Sequence, residues 1–136
     1  MTLALHIVTP QGEAYAGPVE TVVLPGSEGD FGVLEGHERF LAPLRVGPLQ
    51  LRDGTGVHWA AISEGFADVS GEQVVVLVGS CDRGEWIDRA EAERERDAAR
   101  AALADLSGSE ADQVRRPALE AALLRAETRV EVATRS

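Results

Sequence analysis

Two hydrophobic rhythms divide this chain. At the start, Leu3, Leu5 and Ile7 alternate with Ala4, His6 and Val8, the period of a strand with one buried face. Turn residues follow at Pro10, Gly12 and Gly17-Pro18. Val19 to Leu24 is a β-branched run ending at Pro25, and Leu41 to Leu51 is interrupted by Pro43, Gly47 and Pro48. Val57 to Ile62, Gly65 to Val69 and Gln73 to Val78 complete the series, with turn sequences at Asp53-Gly54-Thr55-Gly56 and Ser70-Gly71-Glu72. Short strands with regularly spaced turns predict an antiparallel sandwich or barrel. Val74 to Val78 is apolar on both faces, which predicts a central strand covered on two sides.

Beyond Gly84 the rhythm changes. Trp86 to Leu106 holds neither Gly nor Pro and is dense in strong helix formers, with Ala92, Ala99, Leu103 and Leu106 on one stripe. Ser107-Gly108-Ser109 breaks this helix, and Ser109 with Asp112 resembles the start of another. Leu119, Leu123, Ala126, Val130 and Ala133 then recur at helical spacing. Pro117 requires either that the regular second helix begin near it or that the segment bend there. The expected fold is α+β: a sandwich over residues 1–84 and an antiparallel two-helix hairpin over 85–136. Asp88 to Asp97 offers no large apolar side chain and the stripe alanines contribute little, so the hairpin buries little and is predicted to be weakly held and able to detach.

One stretch obeys neither rhythm. Between Leu24 and Leu49, Gly26, Gly29, Gly32, Gly36 and Gly47 alternate with Pro25, Pro43 and Pro48, so the backbone must turn repeatedly and present a few side chains. It is not a phosphate cradle, because Gly26 to Gly32 lacks the Gly-Lys-Ser/Thr ending and carries Glu28 and Asp30 where a phosphate would approach.

The charge balance narrows the partners. A net charge of −10 over 136 residues repels nucleic acid. Cys81 is the single cysteine and reads as a small core residue. The first ten residues carry no basic signal region, and no run approaches the roughly 20 apolar residues of a membrane span, which predicts a cytoplasmic protein that meets a membrane only through a partner. His37 lies among Asp30, Glu35 and Glu38, but His6 and His58 stand at no ligand spacing, so no metal site is expected. No catalytic motif stands out either.

The order Leu24-Pro-Gly-Ser-Glu-Gly-Asp-Phe-Gly-Val-Leu-Glu-Gly-His37, Pro43-Leu-Arg-Val-Gly-Pro-Leu49, Ile62-Ser-Glu-Gly-Phe-Ala-Asp-Val69 and Val74 to Val78, followed by a two-helix tail, closely resembles the epsilon subunit of bacterial F-type ATP synthases. It departs at Glu35, where the family usually has proline, and at Glu38-Arg39-Phe40. The resemblance implies a non-catalytic rotor subunit of the central stalk, coupling gamma to the c-ring of a proton-translocating enzyme, peripheral on the cytoplasmic face of the bacterial inner membrane. It places Glu28, Gly29, Asp30 and Phe31 against the c-ring, and His37, Glu38, Phe40 and Leu41 against gamma. The tail resembles a regulatory arm that inhibits ATP hydrolysis when extended toward the alpha and beta subunits, with Asp88, Arg94, Arg96, Arg100, Arg125 and Arg129 as its functional side chains. Some members of the family bind ATP on the folded hairpin through Ile/Leu-Asp-X-X-Arg-Ala. Here Ile87-Asp88-Arg89-Ala90-Glu91-Ala92 has Glu91 in place of the arginine, which predicts weak or absent ATP binding and no cofactor. The competing expectation is a free-standing sandwich that dimerises through its hairpin.

Overall fold

The computed structural model describes residues 2–36 and 38–136. Ten strands come first: β1 (Leu3–Thr9), β2 (Gly12–Val19), β3 (Thr21–Gly26), β4 (Gly29–Val33), β5 (Phe40–Leu44), β6 (Gly47–Asp53), β7 (Gly56–Ile62), β8 (Gly65–Ser70), β9 (Gln73–Val78) and β10 (Cys81–Arg83). A 3-10 turn, Gly84–Trp86, leads into α1 (Arg89–Ala104) and α2 (Glu110–Arg135).

The strands run in the order β10-β7-β6-β3-β5-β8-β9-β1-β2, with β4 on the other edge of β3. The ladder nearly breaks between β3 and β5, which share a single pairing at Gly26 and Leu44. Here the sheet passes from one layer to the other. A side chain at Gly26 would strike the Gly29 carbonyl oxygen at 2.5 Å and the Phe31 ring at 2.9 Å, so this corner closes only on glycine. Alternate residues of both layers, among them Leu3, Leu5, Ile7, Leu24, Leu49, Ile62, Val69 and Val76, meet in one buried cluster.

Several expectations change. Gly12, Gly17 and Pro18 are read above as turns, yet β2 runs through them as a terminal strand, where proline's missing N–H costs no central ladder bond. The sandwich is antiparallel except at β1 and β9, which pair in parallel. The view of β9 as covered on both faces is corrected: Val74, Val76 and Val78 enter the core, but Leu77 is 51 % exposed. The first α-helix starts later than Trp86, because the Asp88 carboxylate accepts the Glu91 N–H at 3.1 Å and caps it there. Helix α2 begins at Glu110, with Ser109 accepting from the Asp112 N–H, and it contains Pro117 in its interior.

The hairpin lies against β6, β7 and the 3-10 turn. Its fully covered side chains are small: Ala92 and Ala99 on α1, and Ala126, Thr128 and Val132 on α2. Alanine burial contributes well under the roughly 1.5 to 3 kcal/mol of a buried leucine or valine, so this attachment has little apolar support.

Candidate functional site: an uncovered apolar sheet face and a tied turn

Three regions carry the side chains of interest: the outer face of one sheet layer, the turn at its edge, and the seam under the hairpin.

The outer face follows from strand alternation. On β8, Ala67 and Val69 point into the core, so Phe66 and Asp68 point outward; on β9, Val75 and Leu77 do the same. Strand register sets these residues in rows. One row runs Pro43, Phe66, Leu77, Val8 across β5, β8, β9 and β1, and the next runs Leu41, Asp68, Val75, His6. Directly opposed residues in such rows are about 4.5 to 5.5 Å apart, so the first row is a continuous apolar ridge. Leu41 is 67 % exposed and Phe66 52 %. Polar groups edge the ridge: Asp68 approaches Arg39 at 3.9 Å, and His6 meets Glu13 at 2.8 Å. An exposed apolar surface with a polar rim marks a protein contact far more often than plain solvent-facing surface.

The turn between β3 and β4 is built on Gly29, whose φ is +132°, a conformation that favours glycine. The Ser27 N–H donates to the Pro43 carbonyl at 3.0 Å and the Arg45 N–H to the Pro25 carbonyl at 2.9 Å. The Arg45 guanidinium also donates to Asp30 at 2.6 Å. Asp30 is therefore paired within the chain, while Glu28 is exposed at the tip. Phe31 is half-buried and meets Phe40 edge-on, with ring centroids 5.8 Å apart. Phe40 packs against the core as well, whereas Leu41 beside it faces out and Glu38 lies exposed in the preceding loop. His37 lies outside the described residues.

Where the hairpin meets the sandwich, a cavity of about 630 Å³ is lined by residues of α1, α2, β7 and β10. Its lining mixes small and apolar residues such as Ala61, Ala99 and Leu119 with the charged Arg125, Arg129, Asp82 and Glu95. Arg129 donates to Glu95 at 2.8 Å and lies 3.4 Å from Asp82. Arg100 reaches Glu127 at 3.4 Å and Arg96 pairs with Asp97, while Arg94 is exposed. Glu91 is exposed near the start of α1. Cys81 is half-buried on β10; burial chiefly, then the Asp82 charge, push its thiol up to about 11. Among the described residues, no group of three or more His, Cys, Asp or Glu could hold a metal ion.

Phe66 and Leu77 are absent from the sequence-derived site. The signal was available, because both stand at the outward positions of strands whose other positions fill the core.

Comparison with known proteins agrees along the whole length. Residues 2–84 match the family described as ATP synthase, Delta/Epsilon chain, beta-sandwich domain. The chain is 35 % identical over 133 residues to an ATP synthase epsilon chain of Cyanothece sp., covering 98 % of this chain and 96 % of that one. It is 36 % identical over 135 residues to an ATP synthase epsilon chain of Synechococcus sp., covering 98 % and 97 %. Among solved structures it resembles a chain of the Euglena gracilis mitochondrial ATP synthase OSCP/F1/c-ring complex, with TM-score 0.79, 27 % identity and coverage of 98 % and 81 %. A chain of the Tetrahymena thermophila mitochondrial ATP synthase central stalk and c-ring shares the fold, with TM-score 0.58, 12 % identity and coverage of 99 % and 96 %.

Proposed function

The chain belongs to the ATP synthase delta/epsilon family, and from that membership we propose that it acts as a rotor subunit joining gamma to the c-ring. It is a non-catalytic subunit of an F-type ATP synthase, an epsilon chain of the central stalk. The observation that carries the gamma contact is the ridge from Pro43 through Phe66 and Leu77 to Val8, which presents apolar surface that no element among the described residues covers. Gamma covers this ridge, with Leu41 continuing it and the segment from His37 to Phe40 beside it.

The tied turn meets the c-ring. Glu28 supplies a fixed negative charge at its tip, and the Arg45 bond to Asp30 and the packed Phe31 hold Gly29 and Glu28 in one geometry. Charges held this way set register and specificity more than raw affinity. No helix among the described residues is long and apolar enough to cross a membrane; attachment to the membrane runs through the complex.

Residues 1–84 form the rotor-binding unit and 85–136 the movable arm. The arm, once extended, reaches the alpha and beta subunits through Arg94, Arg96, Arg100, Arg125 and Arg129 and inhibits ATP hydrolysis. Small buried side chains and a cavity under the hairpin support this reading, because they give the arm little apolar attachment. Purification of the native protein tests the rotor assignment. Co-purification with gamma and the membrane sector is expected, and a chain that runs alone would favour a free-standing module. Removing everything after Gly84 tests the arm: hydrolysis by the assembled enzyme should rise, and unchanged hydrolysis would exclude inhibition by it.

A further inference from the structure

We propose that Arg129 is a latch, and that its clasp on Asp82 and Glu95 holds the hairpin on the sandwich without any bound ligand. The three residues come from three elements: Asp82 from β10, Glu95 from α1 and Arg129 from α2. One guanidinium thus ties both helices to each other and to the sheet. Its fork suits this, since an arginine can address two carboxylates at once where a lysine offers a single point charge.

The surroundings make the clasp matter. The cavity of about 630 Å³ lies at this seam, so dispersion contacts are missing where the hairpin should pack. On the hairpin side, the buried apolar groups are Ala92, Ala99, Ala126 and Val132, three of them alanines. Arg129 is only 21 % exposed, and its Nε is buried with no hydrogen-bond partner among the described residues, facing Asp82 at 3.4 Å. Arg125 lines the same cavity one helical turn away, and like charges at that spacing oppose each other. Without the two carboxylates, Arg129 would be a half-desolvated cation beside another cation. Asp82 and Glu95 are each about half exposed, so the desolvated member is Arg129, and losing a carboxylate leaves that largely buried cation short of compensation.

The latch is a regulatory device within the arm and depends on that arm being movable. Its test uses the isolated full-length chain, so failure here is distinct from failure of the rotor assignment, which co-purification reports. Trp59 on β7 supplies the signal, because the Arg135 guanidinium at the end of α2 stacks on it at 4.9 Å. In a Trp86→Phe background, Trp59 is the only indole. Acrylamide quenching then reports whether the end of α2 is seated, and amide exchange at Val74 and Val76 reports whether the sandwich is intact.

Arg129→Gln should raise the quenching constant roughly twofold or more and leave β9 protected. Asp82→Asn and Glu95→Gln should each give part of the effect. About 1 M salt, where the screening length is about 3 Å, should raise quenching in the parent chain and add little in Arg129→Gln. Quenching unchanged by both Arg129→Gln and salt would overturn the latch. If Arg129→Gln also unprotected β9, Asp82→Asn would decide. Release with β9 protected supports the latch, and no release contradicts it.

Discussion

Phe66 on β8 stands directly opposite Leu77 on β9, and the two are 52 % and 51 % exposed. An aromatic and a leucine paired across strands stabilise a sheet by a few tenths to about 1 kcal/mol, yet about half of each residue stays in water. The pair is better fitted to a partner than to the isolated fold. Replacing either by serine should therefore cost the free chain little stability, within about 1 kcal/mol, as read from a denaturation midpoint. A loss of several kcal/mol would mean that the pair belongs to the core.

Leu5 gives the contrasting case. It is fully buried in the cluster between the layers, so Leu5→Ala should destabilise the chain by about 2 to 5 kcal/mol through lost transfer energy and a residual cavity. Urea unfolding of the two sets of variants side by side separates a core residue from a docking residue.

Gly84 forms the seat for the end of α2. A Cβ there would lie 3.0 Å from the Val132 side chain, which is fully buried, and would also strike the Ser136 side chain. Ser136 is exposed and can move aside, whereas Val132 is fully buried and cannot. Gly84→Val should lift the last turn of α2 off the 3-10 turn and speed amide exchange at 130–135, with strand amides unchanged. Equal protection of α2 in both proteins would show that the seat yields.

The Cys81 thiol sets an alkaline limit. Its folded value of about 11 stands above the ordinary 9.0, so the folded chain holds its proton more tightly than the unfolded one. The resulting stability is fully present below pH 9.0 and is lost as pH rises toward about 11. The loss should be on the order of 2 kcal/mol across that window, and Cys81→Ser should remove it. Urea midpoints measured along this pH range test the sign.

Nucleotide should find a poor site under the hairpin. Arg129 is already committed to Asp82 and Glu95, and Glu91 adds another carboxylate near the start of α1. Titration calorimetry of ATP into the isolated chain should show no submillimolar binding. Heat fitting a submillimolar site would overturn this.

Much of the sandwich was legible from alternation alone, because a strand with one buried face writes its period into the sequence. Leu3, Leu5 and Ile7 are core residues as their spacing predicts, and Ser109 caps α2 as its spacing to Asp112 predicts. β2 was obscured because Gly17 and Pro18 mean a turn in most contexts and are tolerated here at a terminal strand. β9 misled in the opposite direction. Val75 and Leu77 are apolar without being core residues, and a single sequence does not distinguish a face buried in the fold from one left for a partner. The pairs Asp30 with Arg45 and Asp82 with Arg129 were out of reach for another reason. Each joins elements whose approach depends on how the whole chain returns on itself.

The central claim is that the ridge through Phe66 and Leu77 is the surface by which this chain joins its rotor. The direct measurement is binding of Phe66→Glu/Leu77→Glu to a purified gamma and c-ring subcomplex, beside the parent chain, with amide exchange at Val74 and Val76 showing an intact sandwich. Two buried charges at the centre of an interface should weaken binding by about 100-fold or more. Affinity within about threefold of the parent, a difference of under 1 kcal/mol, would contradict the account and move the docking surface elsewhere.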